Sequence, residues 1–220
     1  MSIQDHKTIL LSLLRFGLPQ TLKLVGVCLV LALVIGIVLG VIRSFRIPVI
    51  DQILGFYAMI CRGVPVMIIL LFVYSALYLG TPYWTAVVTL TFSESAYIME
   101  IVKGGLLSID KGQWEAADSL SLPKAYTVVK VIIPQVFLVT LPAIFGQLVL
   151  LIKGTAVAST VGVVELTKQG QFLLSSYSQP IIVYGYVLII FFLICHLLTS
   201  ISRRLEKRIR QKIIGESHEK

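Results

Sequence analysis

The segment Leu24–Ile42 carries no charged residue and is almost entirely apolar. A helix needs roughly 20 such residues to cross the hydrocarbon core of a bilayer. A second segment, Gln169–Ser202, has no Asp, Glu, Lys or Arg over a still greater length. Charged residues make up 14% of the 220-residue chain, against about a quarter in soluble domains. The sequence therefore predicts an all-α integral membrane protein.

Several segments are long and apolar enough to span a membrane. We expect five spans at about Gln20–Ile42, Ile53–Leu79, Trp84–Val102, Val131–Ile152 and Pro180–Ile201. Within the second, Arg62-Gly-Val-Pro65 predicts a helix break, because backbone groups freed by proline need protein or water around them. No internal repeat or low-complexity linker divides the chain, so we expect a single domain, 1–220, with its core at about 17–205. Arg15 and Lys23 interrupt the first apolar region, which argues against a cleaved signal peptide.

The basic residues are unevenly distributed between the two sides of the predicted bundle. If the N-terminus is outside, thirteen of the 19 Lys and Arg residues lie in inner segments and five in outer ones. The positive-inside rule therefore predicts the N-terminus outside and the C-terminus inside. Because the net charge of +8 is concentrated beside apolar spans, we expect the basic tail 203–220 to contact membrane lipid rather than nucleic acid.

Catalytic and metal-binding patterns are missing from the sequence. Cys28, Cys61 and Cys195 lie inside apolar runs without the spacing of a metal or disulfide framework. There is no Walker A sequence, no His-Glu-x-x-His and no Gly-x-Ser-x-Gly. We therefore predict no catalytic residue, no metal and no cofactor, and an intramembrane enzyme is improbable.

A polar loop, 103–130, separates the third and fourth spans. Its sequence predicts two short helices, Gln113–Leu120 and Lys124–Ile132, separated by a break at Ser121-Leu-Pro123. The first helix combines small residues, an aromatic residue and a carboxylate, which suits docking against a partner protein. The docking candidates are Gly112, Gln113, Trp114, Glu115, Ala116, Ala117 and Ser121. Glu-Ala-Ala alone is also common in ordinary solvated helices.

The ordered motifs of the whole chain resemble those of the polar amino acid permeases of ABC importers. They are Gly17-Leu-Pro-Gln-Thr-Leu22, Arg62-Gly-Val-Pro65, Ala96-Tyr-Ile-Met-Glu100, Lys103-Gly-Gly105, Lys111-Gly-Gln-Trp-Glu-Ala-Ala117, Ile133-Pro-Gln135, Leu141-Pro142, Lys153-Gly-Thr155 and Glu206. The resemblance implies a type I ABC importer permease fold with a cytoplasmic coupling-helix loop. It also implies a pair of ABC ATPase subunits, a second permease copy or paralogue, and an extracellular or periplasmic amino-acid-binding protein. The chain itself would then be a transport subunit and not an enzyme.

Three motifs depart from the family's usual pattern. Ser121 replaces a glycine that can take a positive φ, so either the serine costs roughly 1 kcal/mol there or a different turn is used. Lys153-Gly-Thr-Ala156 lacks the usual acid and serine, and Arg62-Gly-Val-Pro65 lacks the usual threonine. These changes concern the substrate more than the fold.

Charged and polar residues within the spans are candidates for the substrate path, because a lipid-facing ion costs about 2.5–3.5 kcal/mol or more. The candidates are Arg62, Glu94, Tyr97, Glu100, Lys153 and Thr155. Glu94 would favour a substrate with an extra positive charge; alternatively it forms an internal hydrogen bond to Ser93, Ser95 or a neighbouring helix. Glu100 could instead pair with Lys103 or anchor the loop. Arg62 could bind a carboxylate, pair with Glu100 or contact a carbonyl. Lys153 would line an outer vestibule or lie free on the surface.

A stand-alone secondary transporter or channel is the alternative function. Such a protein needs no docking loop, and it usually shows repeat symmetry or graded intramembrane carboxylates, neither of which is clear here. Binding of an ATPase partner would distinguish the two readings.

Overall fold

A computed structural model describes residues 2–77 and 79–218, and all regular secondary structure in those ranges is helical. The α-helices are α1 Ile3–Ser12, α2 Leu18–Ser44, α3 Pro48–Gly63, α4 Val66–Ala76, α5 Pro82–Leu107, α6 Lys111–Ser119, α7 Lys124–Tyr126, α8 Ile133–Gly154, α9 Leu166–Tyr177 and α10 Pro180–His218. Two π-helical segments, Leu13–Gly17 and Thr127–Ile132, join α1 to α2 and α7 to α8. A 3-10 segment, Thr155–Val161, extends α8.

Within the described ranges, four continuous helical segments are long and apolar enough to cross a membrane: Ile3–Ser44, Pro82–Leu107, Lys124–Val161 and Pro180–Ile209. A fifth crossing is formed if α3 and α4 together make one span, although the two are bent by 105°. The break falls at the predicted place, since Val64 is extended and Pro65 precedes α4 without an N–H to donate. The predicted all-α architecture of about five spans is confirmed, with the second span broken.

Helix α5 is the most buried of the spans, and α2 packs closely along it. The contact face of α2 is a stripe of small buried residues at a spacing of four: Cys28, Ala32, Gly36 and Gly40. A Cβ added at Gly36 would lie 2.6 Å from the Cβ of Ile98, and one at Gly40 would lie 2.7 Å from the Cβ of Val102. The two backbones therefore approach each other only because these positions lack side chains, as in other small-residue helix pairs in membranes.

The fourth span is longer than predicted at its C-terminal end. The helix continues through Lys153 and Gly154 into the 3-10 segment, and the chain turns only at Gly162, where φ is 93°. Gly154 does not end the helix because its own φ of −64° is helical. Lys153 consequently lies within the span and not beyond it, which corrects the predicted boundary at Ile152.

Candidate functional site

The loop between α5 and α8 is built around helix α6. Asp110 caps its N-terminus by accepting a hydrogen bond from the Gly112 N–H at 2.6 Å. At the C-terminus the N–H of Ser121 donates to Asp118 O at 2.9 Å, and that of Leu122 to Ala117 O at 3.1 Å. This bonding pattern is a Schellman motif, with Ser121 at a φ of 53°. The serine therefore adopts the left-handed conformation that glycine takes more readily.

Most of α6 is open to the surroundings. Ala117 is buried, whereas Glu115 and Ala116 are exposed and Trp114 is 39% exposed. Just beyond the helix, Leu120 is 72% exposed. The Gln135 amide donates to Gln113 Oε1 at 3.1 Å and so ties α6 to the base of α8. The chain thus presents a short, firmly capped helix with an exposed aromatic residue, an exposed carboxylate and an exposed alanine.

Four charged residues meet where α2, α3 and α5 come together, and we call them the four-charge cluster: Arg43, Asp51, Glu100 and Lys103. Arg43 Nε lies 2.9 Å from Asp51 Oδ1, and its Nη1 contacts Glu100. Lys103 Nζ lies 3.0 Å from the same Asp51 oxygen. Gly55 leaves room for the guanidinium, since a Cβ there would lie 3.2 Å from Arg43 Nη2. Glu100 therefore pairs with Arg43, while Lys103 pairs with Asp51.

A cavity of about 400 Å³ lies where the break between α3 and α4 faces α5 and α8. Its polar lining includes Arg62, Glu94, Tyr97 and Gln147, and we call it the Arg62–Glu94 cavity. Glu94 Oε2 accepts a hydrogen bond from the Gln147 amide at 2.5 Å. The Arg62 guanidinium lies 5.8 Å from the centre of the Tyr97 ring. An adjoining cavity of about 560 Å³ shares Arg62 and Tyr97 and reaches Glu100.

The backbone also contributes to the Arg62–Glu94 cavity. Gly63, Val64, Pro65 and Val66 line it, and α4 begins at Val66. The first turn of a helix has free N–H groups and a partial positive charge, which favour anionic groups nearby. The break thus brings a helix N-terminus to the wall of a cavity within the membrane-spanning region.

The structure brings some of the predicted path residues together and separates others. Arg62, Glu94 and Tyr97 share one cavity, and Glu100 lines the adjoining one. Lys153 lines a different cavity, between α8 and α10. Thr155 is fully buried and donates its hydroxyl to the Ile152 carbonyl at 2.7 Å. Of the alternatives for Glu94, the structure shows the hydrogen bond to a neighbouring helix.

Sequence reasoning missed three residues of these sites. Gln147 is an amide within an apolar span, which is a signal of an interhelical hydrogen bond. Arg43 and Asp51 flank the short connection between α2 and α3, so their proximity was open to prediction. The pairing of Arg43 with Glu100 joins residues 57 positions apart and leaves no local signal.

Comparison with known proteins places these features in a family context. Residues 32–211 match the family described as "Binding-protein-dependent transport system inner membrane component". The chain is 32% identical to the arginine transport system permease protein ArtQ of Bacillus subtilis (strain 168), over 88% of this chain and 91% of that protein. It is 33% identical to the glutamine transport system permease protein GlnP of Escherichia coli (strain K12), over 90% and 93%.

Solved structures agree with the sequence relatives. The crystal structure of an amino acid ABC transporter with histidines superposes with a TM-score of 0.82 at 26% identity, covering 94% of this chain and 100% of that one. An inward-facing structure of the MetNI methionine ABC transporter gives a TM-score of 0.77 at 22% identity, with coverage of 95% and 99%. The second likeness concerns the fold alone.

Proposed function

The chain belongs to the family of binding-protein-dependent transport system inner membrane components, and we propose that it is the permease subunit of an ABC importer for a polar amino acid. The observation that carries this proposal is the match, over about nine-tenths of both chains, to relatives named as arginine and glutamine permeases. The relatives support a multi-pass location in a bacterial inner membrane. The charge distribution supports an orientation with the N-terminus outside and the C-terminus inside.

In this proposal a pair of ATPase subunits docks on α6 and supplies the ATP hydrolysis. The exposed Trp114, Glu115 and Ala116 form the docking surface, with Ala117 holding the helix against the bundle. A second permease copy or a paralogue completes the pathway, and an external binding protein delivers the amino acid. Because Gln135 bonds Gln113 and α6 follows α5 directly, a displacement of α6 acts on both α5 and α8. Nucleotide-driven closure of the ATPase pair would then change the side of the membrane to which the substrate path opens.

The Arg62–Glu94 cavity forms the substrate path in this proposal. Its two charges are opposite in sign, and in the described part of the chain neither takes part in an ion pair. A zwitterionic amino acid offers a carboxylate to Arg62 and an ammonium group to Glu94. Glu100 contributes less charge to the path, since Arg43 already pairs with it. The single amide donor from Gln147 leaves other lone pairs of Glu94 free for a cationic group.

Docking is tested by co-purification in mild detergent from the native membrane. Wild type, Glu115→Lys and the control Glu206→Lys are compared, and the bound proteins are identified by mass spectrometry. We expect an ATPase subunit to co-purify with wild type and with the control. Glu206→Lys reverses the charge at an exposed position that lies outside the loop. Glu115→Lys should lose the ATPase. Folded wild-type protein without an ATPase partner would refute the proposal and favour a stand-alone transporter.

The substrate path is tested by uptake into proteoliposomes that contain the complete complex. Glu94→Gln should lower the preference for cationic over neutral amino acids by about tenfold or more, the worth of a hydrogen bond to a charged group. Glu94→Asp keeps the charge and should keep the direction of the preference. Unchanged selectivity in Glu94→Gln, with intact uptake, would eliminate Glu94 from substrate recognition.

A further inference from the structure

A second polar cavity, of about 430 Å³, lies between α8 and α10 on the outside of the bundle. Its polar lining comes from Lys153, His196, Thr199, Ser200 and Arg203, and we call it the α8–α10 cavity. The proposed substrate path does not include it, because the two cavities share none of their lining residues, and the Arg62–Glu94 cavity is lined by α3, α4, α5 and α8 without α10. An inference about this cavity therefore stands independently of the proposed transport function.

The helix directions bring two cations together in this cavity. The Ser202 hydroxyl donates to the Pro142 carbonyl at 3.3 Å, which places these residues of α10 and α8 at one level. Lys153 lies about 16 Å farther along α8, at 1.5 Å per residue, whereas Arg203 directly follows Ser202. Long side chains in helices point back toward the helix N-terminus. Since α8 and α10 run in opposite directions, this general tendency directs Lys153 and Arg203 toward each other, and both line the same cavity.

The charges of this cavity are unbalanced. None of the described residues that line it is acidic. Both Lys153 and Arg203 are exposed on the isolated chain, and Lys153 lies within a membrane-spanning segment. A lipid-facing ammonium in the hydrocarbon core costs about 2.5–3.5 kcal/mol or more, so cations of membrane-spanning segments face a cavity or an opposite charge. The cavity therefore favours binding of an anionic ligand.

The walls of the cavity indicate what kind of anion fits. Toward the N-terminal end of α10 the lining is apolar and includes Leu188, Phe191 and Phe192. Toward its other end Arg203 begins the basic segment of α10, and Ser200 adds a hydroxyl. The groove between the two spans thus combines an apolar wall with two basic side chains, Lys153 and Arg203. Basic pockets between transmembrane helices are sites for anionic lipid headgroups.

We propose that the α8–α10 cavity binds an anionic phospholipid. Its phosphate lies between Lys153 and Arg203, with Ser200 as a hydroxyl donor, and an acyl chain covers Leu188 and Phe192. Thr199 plays no donor role, because its hydroxyl already donates to the Cys195 carbonyl at 2.7 Å. The His196 ring stacks on Phe192, with 5.6 Å between ring centres, and closes one side of the apolar wall.

The test is lipid retention by the complete purified complex. The complex is delipidated, exposed to phosphatidylglycerol or phosphatidylcholine, and analysed by native mass spectrometry. Wild type should retain phosphatidylglycerol in preference to phosphatidylcholine. Lys153→Gln and Arg203→Gln should each weaken that retention about fivefold, the contribution of one basic residue to anionic-lipid binding. Lys153→Arg keeps the charge and should retain the lipid.

Arg204→Gln is the matched control, because Arg204 is the exposed neighbour of Arg203 and is not part of the cavity lining. An equal loss in this control, or equal retention of both lipids by wild type, would overturn the proposal. A Leu188→Cys variant tests whether protein covers the cavity instead. The native cysteines are buried, so an efficient disulfide between two copies through residue 188 would show a protein interface and would also overturn the proposal.

Discussion

Removal of Arg43 is the most direct test of the four-charge cluster. The Arg43 side chain is 10% exposed and is shared between two carboxylates, those of Asp51 and Glu100. In Arg43→Gln, Lys103 remains as the only cation of the cluster, and it contacts Asp51 and not Glu100. The Glu100 carboxylate then lies 29% exposed, without its partner.

The expected loss follows from the burial of the partners. Removing one member of a fully buried ion pair costs about 3–5 kcal/mol. The Asp51 and Glu100 side chains are 38% and 29% exposed, so water solvates part of each carboxylate and reduces the cost of removing the arginine. We expect Arg43→Gln to lower the free energy of unfolding by about 2 kcal/mol. Arg43→Gln/Glu100→Gln should recover part of this loss, with a coupling energy on the order of 1 kcal/mol.

The assay is reversible unfolding of the purified protein in detergent, followed by far-ultraviolet circular dichroism. Arg46→Gln is the matched control, since Arg46 is exposed on the same connection and takes part in none of the described ion pairs. A double variant whose loss equals the sum of the two single losses would show that Arg43 and Glu100 are not coupled. A loss as large in the control would refute the reasoning as well.

Three further outcomes are expected. Gly40→Ala should destabilise by about 1–3 kcal/mol, because its Cβ would crowd Val102, whereas Gly26→Ala, which meets open space, should be nearly neutral in the same unfolding assay. Ser121→Gly should stabilise by about 1 kcal/mol by relieving a positive φ, and retained ATPase binding would show an unchanged docking helix. Glu165 lies outside the spans, and burial raises its pKa from 4.5 to about 7, so the folded state binds the extra proton. Stability should therefore fall as pH rises between those two values and stay level above them; Glu165→Gln should flatten this part of a melting-temperature profile, and an unchanged slope would contradict the assignment.

How much the sequence could predict depends on how local each signal is. Gly63 and Pro65 mark the break in the second span, because both act on the backbone where they occur. The helix of the polar loop follows from its own residues, and the structure has it at Lys111–Ser119. The bend of 105° does not follow from the sequence. Both α3 and α4 pack against α5, and no local pattern specifies those contacts.

Contacts between distant helices are harder to predict, because the sequence does not show which helix is the partner. The spacing of Gly36 and Gly40 is visible in the sequence and indicates a close helix contact, but not that α5 is the other helix. The sequence predicts that the fourth span ends at about Ile152, just before Lys153 and Gly154. The structure continues the helix past both residues. The surroundings of Lys153 include the cavity that α8 shares with α10, and no local sequence pattern encodes that contact.

The pairing of Arg43 with Glu100 also has a consequence for how the protein is made. Arg43 is synthesised 57 residues before the carboxylate that contacts it. At about 5–20 residues per second, the ribosome needs roughly 3–11 seconds to supply that partner. During this interval Asp51, eight residues on, is the first counter-charge available to the arginine. The pair that joins the end of α2 to α3 can therefore form before α5 emerges, and the contact with Glu100 is added afterwards.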